Sequence, residues 1–173
     1  MIPTKCIAVM KKHKDEVWNV KFSSTGNRLA SVGKDQLLYI WSITKVNNEF
    51  KIRCTHEIKG HSKNILALNW TNTDDRWVIT AGTESVAKVW DSKTGALVME
   101  LKGHKDAIQS ACFLPDDSKI VTVGVDKQII LWDIKFEGSS PVFQAKQIDS
   151  MDTKNYMDLA VSNTRIVSIG CSN

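Results

Sequence analysis

Short runs of apolar residues alternate with polar turns along the whole chain. β-branched and aromatic residues fill these runs, and no segment of helical period competes with them. Short strands at regular spacing predict an all-β antiparallel protein. The predicted strands are Val17–Ser23, Arg28–Gly33, Leu37–Ile43, Phe50–Ile58, Ile65–Thr71, Trp77–Gly82, Val86–Asp91, Ala96–Leu101, Ile108–Leu114, Lys119–Gly124, Gln128–Ile134 and Val142–Ile148.

Four residue types keep the same register in three successive segments. A His opens each segment and a Trp closes it, with separations of 28, 29 and 28 residues. A hydroxyl residue stands ten positions before each Trp, and an acidic residue stands six positions before it. This register indicates an internal repeat and accounts for much of the high tryptophan content. The residues in register are His13, Ser31, Asp35 and Trp41; His61, Thr80, Glu84 and Trp90; and His104, Thr122, Asp126 and Trp132.

The repeated segments resemble the WD repeat, which carries Gly-His near its start and Trp-Asp at its end. The resemblance covers residues 5–134 and part of 156–173. In that family each repeat spans a four-stranded blade of a β-propeller. It therefore implies an all-β, partial WD-repeat β-propeller of about three and a half four-stranded antiparallel blades. The implied units are an outer strand of a closing blade at 5–10, blade 1 at 12–58, blade 2 at 60–101, blade 3 at 103–148 and the start of blade 4 at 156–173.

Two features of the chain depart from regular repeats. Propellers close with about four to eight blades, and this sequence supplies only about three and a half. We therefore expect it to be the N-terminal part of a propeller. In the fourth unit, Ser168 matches the hydroxyl position and Ser172 the acidic one. The long segment between Trp41 and Glu57 predicts an extended hairpin loop.

In the WD-repeat family the four residues in register form a hydrogen-bonded tetrad. A His buried between blades needs a partner for each ring nitrogen, and a carboxylate and a hydroxyl provide them. The indole N–H also finds an acceptor in the hydroxyl. The resemblance therefore assigns His13, His61, His104 and their partners a structural role. Because Glu84 replaces Asp in the second repeat, we expect a looser network there.

Ser, His and Asp also form hydrolase triads, so a catalytic interpretation has to be weighed. The same trio recurs in every repeat together with a Trp, and the sequence contains no G-x-S-x-G elbow. It contains no G-x-x-x-x-G-K-[ST] loop either. We therefore predict a protein that is not an enzyme, with no catalytic residues, no metal and no cofactor.

Composition and charge narrow the choice of partners. The net charge of +4 comes from 23 basic and 19 acidic residues that are spread along the chain, which is typical of a solvated surface rather than a nucleic-acid site. No apolar stretch is long enough to cross a bilayer, so we predict no membrane partner. The cysteines Cys6, Cys54, Cys112 and Cys171 form no C-x-x-C pair, which argues against zinc. With no secretory signal, we expect reduced thiols and an intracellular location, cytoplasmic or nuclear.

The family often binds partners on the narrow face where the first strand of each blade begins. Three kinds of position lie there by resemblance, and Trp18 is the strongest candidate because an aromatic can anchor a partner in a desolvated patch. The alternative for Trp18 is a rim residue packed on the neighbouring blade. The predicted partner-binding residues are Glu16, Trp18 and Lys34; Asn64, Leu66 and Thr83; and Ala107, Gln109 and Val125.

The first repeat carries a more specific resemblance. Its D-E-V-W and F-S-x-x-G-x-x-L-A-S-x-x-K-D strings resemble the first blade of the WD-repeat subunit of the GID/CTLH E3 ubiquitin ligase. That resemblance implies a non-catalytic scaffold that binds other proteins or peptides, including ubiquitin ligase subunits, and that acts in assembly or substrate capture. The alternative is a WD-repeat scaffold or peptide reader in RNA processing, trafficking or chromatin.

Overall fold

The structure, a computed structural model, describes residues 6–47, 49–137, 140–148, 155–162 and 165–171. Within these residues the chain forms 14 strands and no helix. Sheet 1 contains β1 (Val17–Phe22), β2 (Arg28–Gly33), β3 (Leu37–Val46) and β4 (Glu49–Lys59). Sheet 2 contains β5 (Ile65–Trp70), β6 (Trp77–Gly82), β7 (Val86–Asp91) and β8 (Leu97–Lys102). Sheet 3 contains β9 (Ile108–Phe113), β10 (Lys119–Gly124), β11 (Ile129–Glu137) and β12 (Ser140–Ile148), and β13 (Asn155–Val161) pairs with β14 (Ile166–Cys171).

Each four-stranded sheet is a simple antiparallel meander in which every strand pairs with the next. The turn between the first two strands contains one residue in the left-handed region, at Gly26 (φ 73°), Asp75 (φ 53°) and Asp117 (φ 56°). Glycine and aspartate are residue types that tolerate this conformation. The polar turns of the sequence therefore close the hairpins at equivalent points of the three sheets.

The sheets pack face to face, with their first strands side by side. β1 packs against β5, β5 against β9, and β9 against β13. One core cluster joins sheets 1 and 2 around Ile40, Ile65 and Trp90, and a second joins sheets 2 and 3 around Ile79 and Trp132. Successive side chains of a strand point to opposite faces of the sheet, so both faces of sheet 2 carry apolar side chains. One face packs on sheet 1 and the other on sheet 3.

The β3–β4 hairpin differs from the extended loop that the sequence suggested. Its two strands remain paired as far as Val46 and Glu49. Ile43 pairs with Ile52, and both pack on the cluster formed by Leu29, Tyr39 and Trp41. The strands extend because alternating apolar residues continue past Trp41 and give the added ladder a buried face.

The remaining strand predictions agree with the structure to within a few residues. The first strands of the three sheets end one residue earlier than predicted, and β11 begins at Ile129 rather than Gln128. Cys112 is 5% exposed, as expected of a small buried apolar residue. Residues 6–12 lie outside any strand, and Lys5, Ser172 and the side chain of Ser168 are outside the described residues. The outer strand at 5–10 and the unit boundaries therefore stay predictions.

Candidate functional site

The first strand of each sheet begins with a β-bulge. In β1, Val17 pairs with Gly33 and Asn19 with Val32, which leaves Trp18 without a cross-strand partner. The same irregularity lies at Leu66 in β5 and at Gln109 in β9. A bulge re-aims a side chain away from the regular pleat of the strand. The three residues predicted to point towards a partner are therefore the bulged residues of their strands.

A glycine faces each bulge because the backbone of the preceding loop approaches closely. A Cβ added to Gly33 or Gly82 would overlap the carbonyl oxygen of Glu16 or Asn64, respectively. A Cβ on Gly124 would lie 2.7 Å from the carbonyl oxygen of Ala107. The repeated glycine at the end of the second strand is thus required by sterics, and it allows the two loops to meet.

Backbone hydrogen bonds then join the loop before the first strand to the turn after the second. The amide of Lys34 donates to the carbonyl of Glu16 at 3.0 Å. Equivalent bonds run from Thr83 to Asn64 at 3.0 Å and from Val125 to Ala107 at 2.9 Å. All three kinds of predicted position are thereby brought together at one end of every sheet. We call this surface the bulge face: Glu16, Trp18, Lys34, Asn64, Leu66, Thr83, Ala107, Gln109 and Val125.

Trp18 is the largest exposed side chain of the bulge face, with 39% of its surface accessible. Its indole N–H donates to Glu16 Oε2 at 2.9 Å. Lys34 Nζ lies 3.5 Å from Glu16 Oε1 and 3.5 Å from Asp15 Oδ1, so the carboxylate that holds the indole is itself paired. The polar group of Trp18 is therefore satisfied within the protein, and its apolar ring is what the indole offers to a partner. Leu66, Gln109 and Val125 are half-buried.

A fourth bulged residue was not identified from the sequence. In β13, Tyr156 pairs with Gly170 and Asp158 with Ile169, so Met157 occupies the position of Trp18, and its side chain is 47% exposed. The fourth unit lacks the His that sets the register of the others. An alignment of Gly170 with Gly33 would have located Met157, because in every described sheet this glycine pairs with the residue directly before the bulged one.

The residues in register lie next to one another beneath the bulge face. In sheet 1, His13 Nδ1 is 2.8 Å from Asp35 Oδ2, His13 Nε2 is 2.8 Å from Ser31 Oγ, and the Trp41 indole donates to Ser31 Oγ at 3.1 Å. In sheet 3 the corresponding atoms of Asp126, His104, Thr122 and Trp132 are each 2.9 Å apart.

One arrangement of protons satisfies every member of such a network when the His is neutral. In sheet 3, His104 Nδ1–H donates to Asp126, and Nε2 accepts from the Thr122 hydroxyl. The same hydroxyl oxygen accepts the Trp132 indole proton. Asp126 also accepts from the amides of Lys105 and Gln128, at 2.8 and 3.2 Å, so the carboxylate ties the turn to the loop that carries His104.

In sheet 2 the acid has three partners, as in the other two networks, but side chains replace the two backbone amides that bind Asp35 and Asp126. The looser network expected at Glu84 stays a prediction. The longer Glu84 side chain reaches His61 and also accepts from Ser62 Oγ at 2.7 Å. Lys88 Nζ, buried in the same cluster, lies 3.7 Å from Glu84 and donates to the carbonyl of Gly60. Thr80 Oγ1 joins His61 Nε2 and the Trp90 indole N–H, each at 2.7 Å.

Burial decides the charge state of the His61–Glu84 pair. Desolvation lowers the pKa of His61 below its usual value, and it outweighs the attraction of Glu84. Burial acts to raise the pKa of Glu84, but the hydrogen bond from Ser62 and the interactions with His61 and Lys88 prevail and lower it. At neutral pH the pair therefore consists of a neutral imidazole and a carboxylate.

The hydroxyls of the networks are sealed from solvent. Thr80 and Thr122 are 0% exposed, and Ser31 is 5% exposed.

In the described part of the chain, no group of three or more His, Cys, Asp or Glu side chains is placed to hold a metal ion. Over the same ranges, no helix has the length and apolar character to cross a membrane.

Comparison with known proteins agrees with the repeat and the fold. The sequence matches the family described as "WD domain, G-beta repeat" at residues 4–42, 52–91 and 95–133, which is more than half of the chain. Among solved structures, "Structure of U3-55K" superposes with a TM-score of 0.77 at 18% identity and covers 94% of this chain and 48% of that one. "Crystal structure of RRP9 WD40 repeats" superposes with a TM-score of 0.76 at 17% identity, over 94% and 47%.

Three relatives of known sequence each match about three quarters of this chain. A WD repeat-containing protein 26 homolog of Arabidopsis thaliana is 37% identical over 134 residues, 77% of this chain and 22% of the relative. The U5 small nuclear ribonucleoprotein 40 kDa protein of Dictyostelium discoideum is 32% identical over 135 residues, 78% of this chain and 36% of the relative. A WD repeat-containing protein WDS homolog of Arabidopsis thaliana is 30% identical over 136 residues, 76% and 25% of the two chains.

The chain thus spans between about a fifth and about a third of the length of these relatives. Their names do not single out a ubiquitin ligase, so that finer resemblance remains a proposal. The partial, all-β WD-repeat propeller predicted from the sequence is confirmed by the sheets and by the superpositions. Repeat, blade and family match together show that this chain belongs to the WD40 repeat family.

Proposed function

We propose that this chain is a non-catalytic protein-interaction scaffold and that partners bind its bulge face. WD40 repeat proteins act as protein-interaction scaffolds, which supports the general class. The observation that carries the proposal is the repeated bulge. Three sheets, and the β13–β14 pair as well, each direct one bulged side chain from the start of the first strand. Bulges of this kind are found where a protein presents side chains for function.

The exposed apolar side chains of this surface support a binding role. Trp18 and Met157 remain 39% and 47% exposed at the two ends of the row of bulges. Aromatic residues and methionine are enriched at the cores of protein interfaces, where burial of the ring or thioether contributes affinity. The Glu16 and Lys34 pair beside Trp18 adds charges of both signs that would orient a bound peptide.

The sealed networks support the non-catalytic part of the proposal. A nucleophilic hydroxyl needs access to substrate, whereas Thr80 and Thr122 are fully buried and each accepts an indole proton. The repetition of the same trio in three sheets also fits a structural role, since catalysis would need only one. We therefore assign His13, His61, His104 and their partners to the stability of the blades.

Trp18→Ala tests the bulge face. In affinity purification from the host cell, this variant should recover less partner, because the largest exposed anchor is lost, while its thermal stability should be close to that of the unmodified protein. Leu97→Ala is the matched control, since Leu97 is 47% exposed on β8, outside the bulge face. Equal recovery by Trp18→Ala and the control would show that the surface has been assigned wrongly.

We further propose that the scaffold belongs to a ubiquitin ligase, on the resemblance of its first repeat. RNA processing is the competing assignment, favoured by the U5 small nuclear ribonucleoprotein relative. Mass spectrometry of the purified complex separates the two. RING ligase subunits are the expected result, and recovery of spliceosomal proteins without them would replace the first assignment by the second.

A further inference from the structure

β4 presents an unusually long free edge. It is the outermost strand of sheet 1, and no described segment pairs with its outer side. β4 has 11 residues, whereas β8, the outer strand of sheet 2, has 6. β12 of sheet 3 has 9 residues but contains Pro141, which has no N–H to donate. Backbone donors therefore continue furthest along β4, and such an edge is a template for another strand.

The two faces of this edge differ in chemistry. Lys51 and Arg53 lie on one face together with Glu49, and all three are exposed. Neither cation has a carboxylate within ion-pair distance among the described residues. Phe50, 49% exposed, and half-buried Ile52 lie on the other face. Alternate residues of a strand point to opposite sides, so one face of the edge carries two cations and a single carboxylate, Glu49, at its start. The other face carries the apolar side chains, with Lys45 over the Phe50 ring.

The edge is also held in place before any partner arrives. Ile52 pairs with Ile43 and packs on the core cluster of sheet 1. The ammonium of Lys45 lies 5.7 Å from the centre of the Phe50 ring. The ladder with β3 is regular from Val46–Glu49 up to the bulge at Thr55, opposite Ile40 and Trp41. A segment that adds to the edge therefore meets an ordered backbone, which reduces the entropic cost of binding.

We propose that residues 49–54 of β4 bind an extended protein segment in which acidic and apolar residues alternate, as an additional strand of sheet 1. The acidic side chains would lie beside Lys51 and Arg53, and the apolar ones beside Phe50 and Ile52, since opposite charges and apolar pairs stabilise neighbouring strands. In the antiparallel register that pairs Glu49 with Arg53, a second copy of β4 would set Lys51 against Lys51 and leave that cation without an acidic partner. A nucleic acid is disfavoured because a phosphate backbone offers no apolar side chains to Phe50 and Ile52, and Lys45 covers one face of the Phe50 ring against base stacking.

This site is separate from the bulge face. The first strand of sheet 1 begins at the bulge face, whereas the β3–β4 turn lies at the opposite end of the sheet. A partner on β4 and a partner on the bulge face would therefore leave each other's surface free. Failure of one assignment does not entail failure of the other.

The test is a binding titration of the 173-residue chain with a fluorescein-labelled peptide that alternates Glu and Val. A peptide of the same composition, with the Glu and Val residues in separate blocks, is the peptide control. The alternating peptide should bind more tightly than the blocked one, more weakly at high salt, and with slower hydrogen exchange at the amides of 49–54. Lys51→Glu with Arg53→Glu should weaken binding about tenfold or more, because two attractive cross-strand pairs become repulsive.

Lys93→Glu provides the protein control, since Lys93 is an exposed lysine in the β7–β8 turn. It should bind like the unmodified chain, and both variants should retain the unfolding midpoint of that chain. Equal binding of the two peptides, equal affinity of the double variant, or exchange protection elsewhere in the chain would overturn the proposal. Tighter, Lys51- and Arg53-dependent binding to oligonucleotides or to phosphatidylserine vesicles would overturn it as well and identify the edge as a phosphate site.

Discussion

Thr122→Val is the most direct test of the hydrogen-bonded networks. Thr122 is fully buried, and its hydroxyl oxygen lies 2.9 Å from both His104 Nε2 and Trp132 Nε1. Valine has nearly the same shape as threonine, so the substitution removes the hydrogen bonds and leaves little change in volume. The indole N–H and the imidazole nitrogen would then both be buried without a partner.

The expected loss follows from these two groups. A buried polar group that loses its partner costs about 1–3 kcal/mol, so with two such groups the free energy of unfolding should fall by about 2–6 kcal/mol. For a chain of this size, that loss corresponds to a decrease of about 4–24 °C in the unfolding midpoint. Urea denaturation followed by tryptophan fluorescence measures the change directly, since Trp132 itself reports on the site.

Thr44→Val is the matched control. Thr44 lies in β3, is exposed, and makes one long hydrogen bond of 3.4 Å to the carbonyl of Lys51. We expect its unfolding free energy to change by less than about 0.5 kcal/mol. If Thr122→Val were as stable as Thr44→Val, the hydroxyl would not be the centre of a stabilising network, and the structural role assigned to the three histidines would be refuted.

Three further predictions concern the backbone, pH and thiol chemistry. Gly82→Ala should destabilise the chain by about 2 kcal/mol or more, because its Cβ overlaps the Asn64 carbonyl; an unchanged urea midpoint would contradict the steric argument. His61 has a lowered pKa in the fold, so the unfolded state binds its proton first and stability should fall as pH decreases below about 6.5; His61→Gln should flatten this slope, and a slope unaffected by the substitution would exclude His61 as its source. Burial raises the pKa of Cys112 to about 12, so a thiol reagent at pH 8 should modify exposed Cys6 quickly and Cys112 only after denaturation; rapid reaction of Cys112 would contradict its burial.

Much of the fold could be predicted because the repeat appears three times in the sequence. The alternation at Ile108–Phe113 or Trp77–Gly82 is local, and each strand pairs with its neighbour in sequence, so local pattern and sheet order coincide. The β3–β4 hairpin was harder to predict. The residues between Trp41 and Glu57 do not by themselves show whether they form a polar loop or a pair of strands. The pairing is decided by the packing of their apolar face on Tyr39 and Trp41.

The candidate site was only partly accessible from the sequence. Trp18, Leu66 and Gln109 could be located by their distance from the histidines, but the bulge that re-aims them depends on how two strands pair. Met157 was missed because its repeat lacks the histidine. The ion pair of Glu84 with Lys88 was missed as well. The sequence shows only that the two residues are four positions apart, and the fold is what buries them together.

The sequence by itself therefore determined the strands, the repeat, the residues held in register and the family. These depend on residue types at short, constant spacing. Local conformational preferences and the repetition of the pattern are enough to identify them in the sequence. Tertiary structure alone decided which side chains remain exposed at the bulges, how the Glu84 cluster is neutralised, and which edge of a sheet is left open. Those properties arise from contacts between strands and loops distant in sequence, where burial and the close approach of backbones, as at Gly33 and Glu16, set the geometry.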